Sequence, residues 1–162
     1  AMGLKAAETV TLQFNQTPAQ RLADEDFDYT AFLDLGNLMW CAMAVGTCEA
    51  VKAYCIQYAN ERTAFGEPIS HRQSVAFMIA DMAIEIDAMR LLVWNAASLA
   101  ESGQPFHREA YLARILCAEK SMKIGTDGVQ LLGGHGFTKE HPVERWYRDL
   151  RSTAIMQSGL HA

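Results

Sequence analysis

The chain has no run of basic residues, no long uninterrupted apolar stretch, little proline and few cysteines. Each shortage narrows what it can be. Its net charge is −5. A protein that grips nucleic-acid phosphates concentrates lysine and arginine on one face, and no such concentration is visible. The acidic excess is local: Asp24, Glu25, Asp26 and Asp28 crowd into one short segment that reads as a solvated turn. No run of 18 uncharged apolar residues stands out, and the opening AMGLKAAETV lacks the charged-then-apolar profile of a targeting segment. The expectation is a cytoplasmic protein with no membrane or nucleic-acid partner.

The four cysteines are too few for a disulfide framework. Cys41, Cys48 and Cys55 are seven residues apart. On one helix they share a stripe, roughly 10 Å from one to the next, too far for a common metal or for pairing along a rigid rod. They read as small buried apolar residues in a reducing compartment. The histidines (His71, His107, His135, His141 and His161) show no HExxH spacing, so no metal site is expected. The four prolines fall where the helical pattern breaks.

What is present is a sizeable apolar half in 162 residues, enough for one domain with a substantial core. Residues 9–14, TVTLQF, alternate Val10, Leu12 and Phe14 with polar neighbours, the pattern of a half-buried strand. A single strand is not stable alone, so it either packs on helices or belongs to a sheet outside this chain. From about Asp28 to Tyr58 apolar residues recur at threes and fours. Gly36 and Gly46 lie inside that pattern, each costing about 1 kcal/mol against alanine, and suggest close approach of a neighbour or ligand. A second helix opens at Ser70, which with Gln73 has the form of a capping box, and ends at Gly103 and Pro105. A third runs from about Phe106 to Leu132, and a fourth starts at Pro142. Long helices joined by short Gly/Pro connections predict an all-α fold, an up-down-up-down four-helix bundle preceded by one β-strand.

Two stretches exceed what a bundle requires. In ERTAFGEPISHRQ, residues 61–73, Arg62 ends one helix beside a glycine turn and a new helix follows. An arginine beside a helix N-terminus suits an anion, but Arg62 paired with an acid and Gln73 closing a capping box would give the same pattern. In DGVQLLGGHGF, residues 127–137, three glycines let the backbone approach a ligand closely, or simply cap a helix and turn the chain. The spacing is not that of a P-loop, and helix-then-glycine is the wrong order for a dinucleotide fingerprint.

Taken together, YANERTAFGEPISHRQSVAFMIADM and DGVQLLGGHGFTKEHPVERWYRDLR closely resemble the acyl-CoA dehydrogenase family. The shared motifs are the R-x-x-F-G-x-P-I turn, the Gln that follows it, the Q-x-x-G-G-x-G-[FY] turn and the P-V-E-R-x-x-R-D helix. The opening segment looks like the closing strand of that family's middle β-domain. The resemblance implies that residues 1–27 are the remnant of that domain with a linker, and that residues 28–162 are the C-terminal bundle. It implies an FAD flavoprotein of fatty acid metabolism that oxidises acyl-CoA thioesters to 2-enoyl-CoA. A carboxylate takes the α-proton and the flavin takes the β-hydride. It also implies a dimer or tetramer, homo- or hetero-oligomeric, with electron-transfer flavoprotein or a similar acceptor as partner. Arg62, Phe65, Gln73, Gln130, Gly133 and Gly134 match positions that contact the FAD of a neighbouring subunit.

The departures concern the base. The family's usual glutamate, in an E-G-T turn after the last helix, is here Gln157, followed by Ser158 and Gly159. An amide cannot serve as a general base because its conjugate acid is far too strong. The alternative position on the first bundle helix is Gly36, and the arginine common beside it is Asn37. Glu144 belongs to the P-V-E-R signature and suits a structural ion pair. Two expectations stand side by side: a dehydrogenase with its base altered, or a catalytically silent subunit that lends FAD contacts and oligomerisation to an active partner. The family's N-terminal helical domain and most of its β-domain are expected to lie outside these residues.

Overall fold

The computed structural model of the chain describes residues 3–7, 10–22 and 24–155. Gln157, and with it the usual base register, lies outside them. Four helices dominate: α1, Tyr29–Glu61; α2, Gln73–Glu101; α3, His107–Leu132; and the short α4, Val143–Thr153. Each long helix reverses onto the last, so α1, α2 and α3 alternate in direction and α4 returns along α3.

Each boundary has a local cause. Asp28 caps α1, its carboxylate accepting from the Ala31 N–H at 2.9 Å. At the end of α2, Gly103 takes φ +66°, letting Gln104 N–H reach Leu99 O and Gly103 N–H reach Ala100 O, the paired bonds of a Schellman motif. Gly133, φ +59°, stops α3. The expected capping box is not formed. Residues Ile69–His71 instead make a 3-10 turn closed by Arg72 N–H on Ile69 O, so α2 starts at Gln73 and Ser70 is spent in the turn.

Segment 10–22 is not a strand. Val10, Leu12 and Phe14 stand about three-quarters exposed. A strand needs a ladder partner, and none of the described residues supplies one. The described strands are two residues each: β1, Thr63–Ala64, pairs antiparallel with β2, Glu67–Pro68. Leu4 N–H donates to Asp149 Oδ1 at 2.7 Å, which ties the start of the chain to α4.

The core is the α1 stripe of Leu38, Cys41, Val45, Cys48, Val51 and Cys55, meeting Met82, Ile86 and Met89 of α2 and Cys117, Ile124 and Val129 of α3. By length and composition α1 could cross a membrane, but its stripe faces this core. Gly46, one of the two glycines of the first helix, is not a close-approach position. A Cβ on Gly46 would meet nothing within 4 Å. On Gly128 it would lie 2.7 Å from Val51 Cγ1 and 3.1 Å from Val143 Cγ1, and on Gly125 3.2 Å from Tyr147 Cα. These two glycines let α3 sit directly against α1 and α4.

Candidate functional site

The alternating helices bring the end of α1, the start of α2 and the end of α3 to one end of the bundle. The two unusual sequence stretches both lie there. After α1, Arg62 leaves the helix in extended geometry, and its carbonyl accepts from Ile69 N–H at 2.9 Å, closing the loop that holds the β1–β2 hairpin. The hairpin turn is Phe65–Gly66, with φ +56° and +87°. Two successive positive φ values match the strand twist, but a phenylalanine at the first of them costs about 1–2 kcal/mol. Phe65 is 95% exposed, and the Arg72 guanidinium, 5.3 Å from its ring centroid, returns only about 0.5–1 kcal/mol of that strain. Arg72 and His71 both face Glu67, at 3.4 Å each. An exposed aromatic held in a costly conformation is the mark of a surface that something else covers.

Beside the hairpin, a cleft of about 310 Å³ opens between the last turns of α1 and the loop that follows α3. Arg62, Gln57 and Glu61 line it with two Tyr–His pairs. Tyr58 Oη lies 2.8 Å from His135 Nδ1, and Tyr54 Oη lies 2.7 Å from His141 Nδ1. The two imidazoles stack at 5.1 Å with 17° between planes. Tyr58 Oη also reaches the Leu132 carbonyl at 3.4 Å. These contacts anchor the 3-10 turn Gly133–Phe137 to α1. Glu140, beside the imidazoles, is held below the usual carboxylate range, chiefly by its own backbone N–H and the Thr138 hydroxyl.

Every cofactor contact expected from the sequence is exposed at this end: Arg62, Phe65, Gln73, Gln130, Gly133 and Gly134. Arg62 shares the cleft with His135, in the turn that Gly133 and Gly134 begin. Phe65, Gln73 and Gln130 do not line it. The three turn glycines divide by role. A Cβ on Gly133 or Gly134 would meet nothing within 4 Å, so the backbone there is bare to an incoming group. Gly136 is structural, because a Cβ would collide with Val129 O. In the sequence Tyr54 and Tyr58 were legible only as members of the apolar pattern of the first helix, and His141 only as one of the histidines. Their cross-helix pairing carries no sequence signal.

The other end of α1 holds Gly36, the second position at which the resemblance leads one to expect a base. Gly36 and Asn37 are half-buried, and Asn37 lines a small cleft of about 20 Å³ with Trp40, Arg114, Thr153 and Ala154. The end of α4, from which the chain runs on to Gln157, therefore lies against the same part of α1. None of the described residues lining this cleft is acidic. The one buried carboxylate among the described residues, Asp34, is hydrogen-bonded to His107 Nδ1 at 2.8 Å across the α1–α3 boundary. Glu144 is joined to Arg148 by bonds of 2.9 and 3.1 Å, the ion pair expected of its motif, and Arg148 holds it below its ordinary pKa.

Comparison with known proteins agrees with this architecture. Residues 29–159 match the family model described as acyl-CoA dehydrogenase, C-terminal domain. The mouse mitochondrial short-chain specific acyl-CoA dehydrogenase is 35% identical over 96% of this chain. The CarC subunit of the caffeyl-CoA reductase–Etf complex of Acetobacterium woodii is 41% identical over 77% of it. The solved structure of butyryl-CoA dehydrogenase from Megasphaera elsdenii superposes with a TM-score of 0.79 at 36% identity, covering 81% of this chain and 34% of that one. The chain spans 39% of the length of the mouse enzyme and 33% of the CarC subunit.

Proposed function

Because the chain belongs to the acyl-CoA dehydrogenase family, we propose that the protein containing it is an FAD-dependent flavoprotein acting on acyl-CoA thioesters, with Gln157 in the place of the usual base glutamate. The observation that carries the reading is the convergence of Arg62, the exposed Phe65 hairpin and the bare backbone of Gly133 and Gly134 at one end of the bundle. The fit to FAD is chemical. Arg62 supplies a cation for the diphosphate, and the two glycines admit the cofactor's close approach. Gln73 and Gln130, both exposed, offer amide donors and acceptors. These residues face outward, which suits a cofactor seated mainly in a second subunit. The flavin supplies the hydride acceptor of the reaction.

An assembly is part of this reading. On the outer side of α2, Phe77, Ile84 and Leu91 recur every seven residues with Trp94 beside them, each at least 58% exposed. A stripe of that kind is a subunit contact in waiting. Electron-transfer flavoprotein is the electron acceptor that fits, in keeping with the Etf complex named for the CarC relative.

A second reading is favoured by one observation: Gly36 and Asn37 are not acidic, and no described residue lining the cleft at the end of α4 is a carboxylate. The protein would then be a silent subunit that completes the flavin site of an active partner. Anaerobic addition of saturated acyl-CoA esters to the intact flavoprotein separates the two. The altered-base reading of Gln157 predicts no flavin bleaching by the wild type and a gain with Gln157→Glu. Rapid bleaching by the wild-type protein alone would refute the missing-base argument, and no gain with Gln157→Glu would favour the silent subunit.

A further inference from the structure

The two imidazoles of the cleft are held in a way that leaves half of each ring free. Tyr54 and Tyr58 stand one turn apart on α1, their hydroxyls 2.7 and 2.8 Å from Nδ1 of His141 and His135, and the rings stack 5.1 Å apart. Neither Nε2 has a hydrogen-bond partner among the described residues. Tyr58 Oη donates to the Leu132 carbonyl at 3.4 Å, so its oxygen accepts from His135 Nδ1–H. A neutral His135 then carries its lone pair on Nε2, which repels an anion; a protonated one carries an N–H there, which binds it.

Both rings share the cleft with Arg62 and with Glu61, which is bonded to Gln57 at 2.9 Å. Lys139 and Glu140 follow in the loop, and Glu140 is held below the usual carboxylate range, first by its own backbone N–H. On the helices packed against the turn, Asp127 of α3 is paired with Lys123 and Glu144 of α4 with Arg148, while Arg145 is exposed. Carboxylates ordinarily ionise well below neutrality and lysine and arginine well above it, whereas imidazole changes charge between about pH 5 and 8.

On the reading of this end of the bundle as an FAD site, we propose that His135 and His141 are the proton-linked part of it: a proton taken up by the stack tightens the hold on the diphosphate, for which Arg62 supplies the fixed cation. Two cationic rings 5.1 Å apart repel each other, and a bound anion relieves that repulsion. Cofactor binding and protonation therefore favour each other, and by linkage to the same extent. The diphosphate keeps its charge over the whole range. Affinity is gained as pH falls through the imidazole range and lost as pH rises through it, by at most about tenfold per pH unit for each proton bound.

The test measures the FAD dissociation constant of the intact protein by flavin fluorescence from about pH 6 to about pH 8 at fixed ionic strength. Proton uptake is read by calorimetry in buffers of different ionisation enthalpy. The expected result is binding roughly three- to tenfold tighter at the acid end, with uptake of a fraction of a proton per FAD. The double variant His135→Gln with His141→Gln should lose both effects. His71→Gln, which removes the imidazole beside Glu67 on the hairpin, should keep both. Equal affinity at the two ends with no proton uptake, or a pH dependence that survives the double variant or disappears with His71→Gln, would overturn the proposal and leave the cofactor reading standing. No FAD uptake at any pH would overturn that reading and the proposal with it. The calorimetry needs only the wild type, so a variant that fails to fold does not blunt the test.

Discussion

Adding one methyl group at Gly128 is a direct probe of how closely the bundle is packed. The new Cβ would lie 2.7 Å from Val51 Cγ1 and 3.1 Å from Val143 Cγ1. Carbon pairs prefer about 3.5–4.0 Å, so both contacts overlap and neither β-branched valine can swing its methyl clear. Overpacking of this kind costs about 1–3 kcal/mol, and the better helix propensity of alanine returns about 1 kcal/mol. Gly128→Ala should therefore destabilise by up to about 2 kcal/mol, lowering Tm by up to roughly 8 °C for a chain of this size. Gly46→Ala is the control. It is exposed in the same kind of helical backbone with nothing within 4 Å of the added atom. Only the propensity gain remains there, about 1 kcal/mol in favour of the fold. Urea unfolding of both variants decides the matter. If Gly128→Ala is as stabilising as Gly46→Ala, α3 does not sit against α1 as described, and the anchoring of the Gly133–Phe137 turn on Tyr58 loses its support.

Other outcomes follow from the same structure. Asp28→Ala removes the α1 cap and should cost about 1 kcal/mol in chemical denaturation. Phe65→Gly relieves the positive-φ strain and should raise stability by about 1 kcal/mol, while weakening flavin retention in the intact protein; a loss of stability on calorimetry would show that Phe65 is packed, not presented. The carboxyl of Glu49 is held down first by its Lys52 hydrogen bond and then by Arg90 at 2.8 Å. A carboxylate with a depressed folded pKa stabilises fully above its unfolded value of about 4.3 and loses that contribution as pH falls through the folded pKa. Glu49→Gln should thus narrow the stability difference between neutral and acid pH, by under about 1 kcal/mol because the pair is partly exposed. Ile84→Glu on the outer stripe of α2 should lower the oligomeric order of the intact protein in sedimentation without unfolding it.

The helices were legible because their signal is local. A 3.6-residue apolar period, punctuated by Gly103 and Gly133, needs only the chain itself. The strand expected at TVTLQF is absent over its described residues 10–14 for the opposite reason: alternation describes a face, but a strand exists only where a partner completes its ladder, in this chain or, as the sequence also allowed, in a sheet outside it. The capping box failed by a shorter margin. Ser70 and Gln73 have the right spacing, but Pro68 and Ile69 favour a 3-10 turn that consumes Ser70 before the helix begins. Glycines were legible as unusual and not as to cause. Gly46 is idle, whereas Gly125 and Gly128, inside a helix that reads as ordinary, bring three helices together. The candidate cleft was half visible. Arg62 and the glycine turn stood out, but the Tyr54–His141 and Tyr58–His135 pairs join residues 87 and 77 positions apart, and nothing in the local pattern announces them.

The central claim is that this end of the bundle holds part of an FAD site. The most direct measurement is the flavin content of the intact protein, purified side by side with its Arg62→Ala variant and read by absorbance and by FAD dissociation. Loss of a charge-assisted contact worth about 1.5–3 kcal/mol predicts a yellow wild type and a variant that binds FAD roughly 10- to 100-fold more weakly while keeping its helical content. A colourless wild type that takes up no flavin on reconstitution, or a variant that holds FAD as tightly as the wild type, would contradict it.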